Sequence, residues 1–238
     1  MEENATEIGR IATGSDTVIH QRGIDNCATV TLIRSQHILI VDFGTTGCEG
    51  RNGRTRIGKW LIHYTQNWRT PGAIIDINFE NFGFKRPNSQ GFVMISNNST
   101  KRITTLTAEN GVYTFKKEVN LTHQLSAGGS RTIIGTRYVT WNTSQTADRY
   151  DDVITIDVTS TLGGTDRRGR NFEVAILEPI VIKTSCWLSH WYKPVSGVLQ
   201  VIKIGKTKTI NFGNGTCGDT FTCENEGDKQ PTTMNEGD

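Results

Sequence analysis

Short runs in which apolar and polar residues alternate recur along most of the chain. Residues 28–33 alternate, residues 34–37 are typical of a turn, and residues 38–43 alternate again, which predicts a β-hairpin. Neighbouring side chains of a strand point to opposite faces, so each run predicts a strand with one buried face. Further strands are predicted over residues 59–65, 73–79, 91–96, 102–107, 111–119, 131–141, 152–159, 171–177, 198–203 and 207–212.

Turn residues separate these runs, and no long segment has a helical period. The chain has 25 glycines but only 5 prolines and 3 methionines, and it is rich in threonine, which favours strands. We therefore predict an all-β fold of about a dozen short strands, an antiparallel meander that forms a β-sandwich or a strongly curved half-barrel. The predicted parts are a flexible N-terminal arm (1–23), a single all-β domain (24–223) and a disordered polar tail (224–238).

Composition and charge exclude several classes of protein. Of the 238 residues, 35% are hydrophobic and 21% are charged, which is typical of a folded soluble chain. The net charge of +2 argues against a nucleic-acid partner, which calls for a strongly basic surface. No run of 18 apolar residues is present, so no membrane-spanning helix is predicted.

The chain has five cysteines and no CxxC pair, and no histidine lies at zinc-finger spacing from a cysteine pair. We therefore expect neither a metal nor a cofactor. The first hairpin brings Cys27 near the turn at residues 44–48, which favours a Cys27–Cys48 disulfide. The alternative is a set of buried free thiols in a cytoplasmic protein.

A weak internal similarity extends this pairing to the end of the chain. Residues 41–48 (VDFGTTGC) align with residues 210–217 (INFGNGTC), and each segment ends the second strand of a predicted hairpin with a glycine-rich turn and a cysteine. The same reasoning favours a Cys186–Cys217 disulfide and leaves Cys223 over. Two disulfides would indicate an oxidising compartment.

A basic cluster is a candidate anion contact: Arg51, Arg54, Arg56 and Lys59. Residues 53–59 fit the first part of a phosphate-binding loop, but Trp60 stands where Ser or Thr would bind magnesium, and a strand follows instead of a helix. The cluster is able to hold a sulfate, a lipid phosphate or an acidic glycan. The alternative is an ordinary charged face.

Trp187 and Trp191 are candidates for ligand stacking, because they flank a polar segment close to Cys186. Exposed indoles there would stack on sugar rings or enter a lipid surface. Packing beside a disulfide is the alternative.

Catalytic patterns are weak. The carboxylates Asp148, Asp151, Asp152 and Asp157 would suit a glycosidase or a calcium site, although carboxylates in such a place more often cap turns. The five histidines are scattered, and no Gly-x-Ser-x-Gly turn occurs. We assign no catalytic residue and predict that the protein is not an enzyme.

Several segments resemble a family of predicted Bacteroidota cell-envelope lipoproteins. They include CATVT at residues 27–31, VDFG at 41–44, GCEGRNGRTR at 47–56 followed by GK at 58–59 and YT at 64–65, VSGVL at 195–199 and FGNGTC at 212–217. The resemblance covers roughly residues 27–223, and the four cysteines of the two proposed bridges match the family's positions. It implies export to the outer membrane or cell surface, or secretion, with a lipid anchor on a cysteine that this chain lacks. It implies no activity.

We therefore expect an exported, non-enzymatic protein of the cell envelope that serves as a binding or structural module. Its expected partners are a glycan, a peptide or another envelope protein. The first alternative is a carrier that holds a lipid against a curved sheet. The second is a glycan-active enzyme that uses the carboxylates at residues 148–157.

Overall fold

The computed structural model describes residues 27–50, 53–144, 148, 150–218 and 220–225, together with the strand Thr232–Met234. The predicted all-β antiparallel fold is confirmed: within these residues sixteen strands form one sheet, and the helical structure consists of two short 3-10 helices, Arg34–Gln36 and Thr184–Ser189. The predicted arm over residues 1–23 lies outside the described residues.

The strands are more numerous than predicted, and several are long: β8, β9 and β12 have 13 residues each. Their bounds are β1 Thr29–Ile33, β2 Ile38–Asp42, β3 Cys48–Glu49, β4 Thr55–Tyr64, β5 Ile74–Lys85, β6 Val93–Ile95, β7 Thr100–Glu109, β8 Val112–Gln124, β9 Ser130–Asn142, β10 Val153–Ile156, β11 Thr161–Thr165, β12 Asn171–Lys183, β13 Ser196–Lys203, β14 Lys206–Asn214, β15 Phe221–Asn225 and β16 Thr232–Met234.

The sheet is a meander in which three positions hold two strand segments each. The strand order is β1-β2-β4-β5-β6-β8-β9-β10-β12-β13-β14-β15-β16. Strands β2 and β3 both pair with β4. Strands β6 and β7 both lie between β5 and β8, and strands β10 and β11 both lie between β9 and β12. The additional strands therefore come mainly from interruptions, which alternation alone does not reveal.

The chain divides into two compact units, and the boundaries fall inside β7, β8 and β9. Unit 1 comprises residues 1–105, 119–133 and 167–169, and unit 2 comprises residues 106–118, 134–166 and 170–238. The single domain predicted over residues 24–223 stays a prediction.

The core of unit 1 is built on the inward-facing residues of its strands. Leu39, Val41 and Ile62 are fully buried, as the alternating pattern of their strands requires. The rings of Phe43 and Trp60 meet edge to face with their centroids 5.0 Å apart. This core therefore combines aliphatic and aromatic side chains.

The core of unit 2 is formed in the same way by buried aliphatic residues and one indole. Val139, Ile154, Ile156 and Ile180 are each less than a tenth exposed, and so is Trp141. The Trp141 ring tilts against Tyr113 with the centroids 5.7 Å apart.

Each unit contains the same glycine bulge, in the same register. In unit 1, Gly58 sits where the pairing of β4 with β5 jumps between Ile57 and Lys59. In unit 2, Gly197 sits where the pairing of β13 with β12 jumps between Ser196 and Val198. Both glycines have positive φ, +75° and +108°, which side chains rarely tolerate.

The interrupted strands also repeat. In unit 1 the backbone N–H of Ser96 donates to Thr122 O at 2.9 Å, and Thr122 N–H donates to the buried Ser99 hydroxyl at 2.9 Å. In unit 2 Asp157 and Ser160 make the equivalent bonds with Tyr138, at 2.9 and 3.0 Å. The weak similarity seen in the sequence is therefore part of a structural repeat.

The repeat accounts for the fifth cysteine. Cys223 of β15 is the register partner of Ile210 in β14, just as Val30 of β1 is the register partner of Val41 in β2. Both Cys223 and Val30 are 2% exposed. Cys223 is free and fills a core position. The sequence does not predict this strand, because its final residues are polar.

The predicted disordered tail is wrong for its first two residues and for residues 232–234. Glu224 and Asn225 belong to β15, which pairs with β14, and β16 pairs with β15. The side chains of Glu224 and Asn225, the last two residues of β15, are both exposed. Ladder hydrogen bonds therefore sustain a strand that side-chain polarity does not suggest.

Candidate functional site

The candidate site lies in unit 2, in the connection between β12 and β13; we call residues 184–193 of this connection the aromatic loop. The 3-10 helix Thr184–Ser189 opens it, and His190 closes the helix in a left-handed conformation with φ of 62°. The N–H of Trp191 then donates to Cys186 O at 3.0 Å. The segment is therefore a closed turn with internal hydrogen bonds.

Two anchors hold the aromatic loop against unit 2. Cys186, which is fully buried, forms a disulfide with Cys217. Thr184 donates both its backbone N–H and its hydroxyl to the carbonyl oxygen of Asp152, each at 3.0 Å. The other predicted disulfide, Cys27–Cys48, is present in unit 1.

The Asp152 carboxylate is itself part of this support. It is 4% exposed and accepts a hydrogen bond from Trp141 Nε1 at 2.9 Å. A buried carboxylate that accepts from an indole fixes the strand entry beneath Thr184. Asp152 therefore has a structural role. The spacing of carboxylates in the sequence could not distinguish this role from a catalytic one.

The aromatic loop exposes two large apolar side chains beside several exposed polar ones. Leu188 is 64% exposed and Tyr192 is 39% exposed. The half-buried Trp187 ring lies beside Tyr192, with centroids 6.4 Å apart and planes 35° apart. Two neighbouring rings and an exposed leucine form a small platform suited to flat apolar groups. The sequence pattern indicates Trp187 but not the exposure of Leu188, because the fold of the loop determines which side chains are exposed.

Trp191, the second indole of the aromatic loop, has a lysine over its ring. Lys193 Nζ stands 5.3 Å from the centre of the Trp191 ring and 4.9 Å from that of Phe221. The Trp191 indole N–H is buried and has no hydrogen-bond partner among the described residues. Trp187 and Trp191, the two predicted stacking residues, are both half-buried, and ligand stacking on them stays a prediction.

The fold of unit 1 buries or pairs part of the basic cluster. Arg51 lies outside the described residues, Arg54 is half-buried, and Arg56 is only 7% exposed. Lys59 forms ion pairs with Asp42 at 3.7 Å and Glu80 at 3.5 Å. Burial and pairing leave Arg56 and Lys59 poorly placed to contact an exogenous anion.

The carboxylates at residues 148–157 hold backbone groups. Asp148 accepts from Tyr150 N–H at 2.9 Å, and Asp157 accepts from the N–H and the hydroxyl of Thr159 at 2.8 and 2.6 Å. The Thr159 hydrogen bonds lower the pKa of Asp157, whereas a general acid needs a raised pKa. These contacts are those of turn caps.

Unit 1 contains a buried histidine whose burial the sequence does not predict. His123 is 1% exposed, and its Nδ1 accepts from Arg131 Nε at 2.8 Å. Burial, together with the charges of Arg131 and Lys101, lowers the pKa of His123 to about 4. The ring is therefore neutral at physiological pH, with its proton on Nε2. In unit 2 the equivalent position is held by Val139.

This histidine is expected to make the protein acid-sensitive. His123 takes up a proton near pH 6.5 in the unfolded chain but only near pH 4 in the folded chain. Its contribution to the free energy of unfolding is therefore complete above pH 6.5 and is lost as the pH falls towards 4. We expect a loss of about 2 kcal/mol over this window, measured by urea unfolding. His123→Gln, which keeps an acceptor for Arg131, should remove most of the loss. His63→Gln, at an exposed histidine of unit 1, should not; equal effects of the two would contradict the assignment.

Two further observations bound the chemistry of the described part of the chain. No group of three or more His, Cys, Asp or Glu residues there is arranged to hold a metal ion. No helix among those residues is long and apolar enough to cross a membrane. The two disulfides indicate an extracytoplasmic location.

Comparison with known proteins adds no relationship: no protein-family model, curated protein or solved structure matches the chain. The features that bear on function are therefore the aromatic loop and the compartment that the disulfides indicate.

Proposed function

We propose that this protein is an exported, non-enzymatic binding module that uses the aromatic loop to bind a sugar ring. The observation that carries the proposal is the platform formed by the half-buried Trp187 with the exposed Leu188 and Tyr192, on a segment tied down by a disulfide. Stacking on a rigid aromatic surface costs little conformational entropy, which favours binding of a flat apolar face such as that of a pyranose.

The resemblance to Bacteroidota cell-envelope lipoproteins supports a place at the cell surface for this module. Such a place would supply polysaccharides as partners. Binding of a peptide or of another envelope protein by the same platform is the nearest alternative. The lipid carrier and the glycan-active enzyme stay predictions, and the backbone-capping roles of Asp148 and Asp157 give the enzyme no support.

Binding to a microarray of neutral oligosaccharides, followed by a fluorescence titration of each sugar retained, tests the proposal. We expect Trp187→Ala and Tyr192→Ala to weaken binding about tenfold each, since an aromatic contact contributes on the order of 1 kcal/mol. Ile204→Ala is the matched control, because Ile204 is a 65% exposed apolar residue of the same unit outside the aromatic loop. If no sugar binds, or if Ile204→Ala is equally harmful, the proposal is wrong.

A further inference from the structure

Three loops of unit 1, taken with the first two residues of β9, concentrate positive charge: residues 86–92, 125–131 and 167–169. Together they contain four arginines and no aspartate or glutamate; the arginines are Arg86, Arg131, Arg167 and Arg168. With a net charge of only +2 on the whole chain, this local excess stands out. The rest of the three loops is largely glycine, serine, asparagine and glutamine, which supply hydrogen-bond donors.

The three loops are in contact with one another. A Cβ atom on Gly91 would overlap the side chain of Ser126, so the first loop packs tightly on the second. A Cβ atom on Gly129 would lie 3.3 Å from the carbonyl oxygen of Arg167, so the second loop packs on the third. The arginines therefore belong to one continuous surface, which we call the arginine surface.

Arg131 is the central group of the arginine surface, and it has no carboxylate partner among the described residues. Its side chain is half-buried and donates Nε–H to the neutral His123. Burial, together with the charge of Arg86, lowers the pKa of Arg131. A guanidinium that is partly desolvated beside a like charge would be stabilised by an anion.

The neighbouring acid is engaged by basic residues outside the arginine surface. Asp166 directly precedes Arg167 in the chain, but its carboxylate is 14% exposed and is held by Arg170 and Lys203. Arg86 and Arg167 themselves are exposed. Their guanidinium groups are therefore available to a ligand from solvent.

We propose that the arginine surface binds a polyanionic glycan through its sulfate or carboxylate groups. Guanidinium groups bind such planar or tetrahedral oxyanions with paired hydrogen bonds, and several arginines on one surface suit a ligand with repeated charges. The extracytoplasmic location indicated by the disulfides makes a glycan a more accessible polyanion than a nucleic acid. This site lies in unit 1 and does not depend on the aromatic loop.

The test uses the full chain and isothermal titration at low salt with two probes. A size-defined heparin oligosaccharide carries sulfate and carboxylate groups, and hyaluronan carries carboxylates alone. We expect heparin to bind, and the double variant Arg86→Gln/Arg167→Gln to bind it at least tenfold more weakly. Rising salt should weaken the wild type more steeply than the variant, because fewer ion pairs form in the variant. Binding of hyaluronan as well would show that carboxylates suffice.

A matched control separates a site from a general charge effect. Arg102→Gln also removes an exposed charge of unit 1, but Arg102 is engaged by Asp76, with Nε and Oδ1 2.7 Å apart. It should bind heparin within about twofold of the wild type, in keeping with the small contribution of exposed ion pairs. Absence of heparin binding, or an equal loss in Arg102→Gln, would overturn the proposal, as would binding only to vesicles of phosphatidylglycerol or to single-stranded DNA. Unchanged thermal unfolding of the variants confirms that they fold.

Discussion

Replacing Cys186 and Cys217 together by serine is expected to lower the free energy of unfolding by about 3–4 kcal/mol. The disulfide closes a loop with a sequence separation of 31, and the stabilisation by such a cross-link grows with the logarithm of the loop length. The variant should also lose the order of the aromatic loop, because Cys186 is its buried anchor. Urea unfolding measures the first effect, and the near-ultraviolet circular dichroism of Trp187 and its neighbours measures the second.

The other disulfide provides the control. Cys27→Ser/Cys48→Ser removes a cross-link with a sequence separation of 21 and should cost about 3 kcal/mol. It lies in unit 1, so sugar binding by the aromatic loop should survive in the fraction that remains folded. Equal loss of binding in both double variants would contradict the idea that the Cys186–Cys217 bridge positions the platform.

Substituting alanine at either bulge glycine is expected to destabilise the fold by about 3 kcal/mol or more. A Cβ atom on Gly58 would overlap the carbonyl oxygen of Asn81, and a Cβ atom on Gly197 would overlap that of Pro179. Neither obstacle is the end of a flexible side chain, so the paired strands themselves would have to separate. Thermal or urea unfolding of Gly58→Ala and Gly197→Ala measures the cost.

Two glycines with the same backbone requirement but open surroundings isolate the effect of the close approach. Gly72 has φ of +82° and Gly205 has φ of +68°, and neither has an atom within 4 Å of a Cβ position. Alanine there should cost only about 1 kcal/mol, the price of the left-handed conformation. If Gly58→Ala were no worse than Gly72→Ala, the bulge would not be a tightly packed feature.

Much of the sheet could be predicted, because a strand with one buried face leaves a period of two in the sequence. The hairpin of β1 and β2 is clear for this reason. Strand β11 was missed because Gly163 and Gly164 within it are typical of a turn. Strand β15 was missed because Glu224 and Asn225 are exposed and polar, so that only its backbone identifies it as a strand.

The candidate sites were predictable only in part. The position of Trp187 next to a cysteine suggested an aromatic surface, and the structure places its side chain half-buried. The basic cluster around Arg56 was visible in the sequence, but burial of that residue depends on the core it faces. Arg86, Arg131 and Arg167 are far apart in the chain, so no local pattern could have joined them.

By itself, the sequence determined the all-β class, the approximate strands and the two disulfides, because alternation, turn residues and cysteines next to hairpins act over short distances. The tertiary structure decided the exposure of Leu188 and the support given by Asp152. It also decided the repeat that puts Cys223 in the place of Val30, and the meeting of three arginine loops. These features depend on which strands become neighbours, and that outcome reflects packing and register over the whole chain.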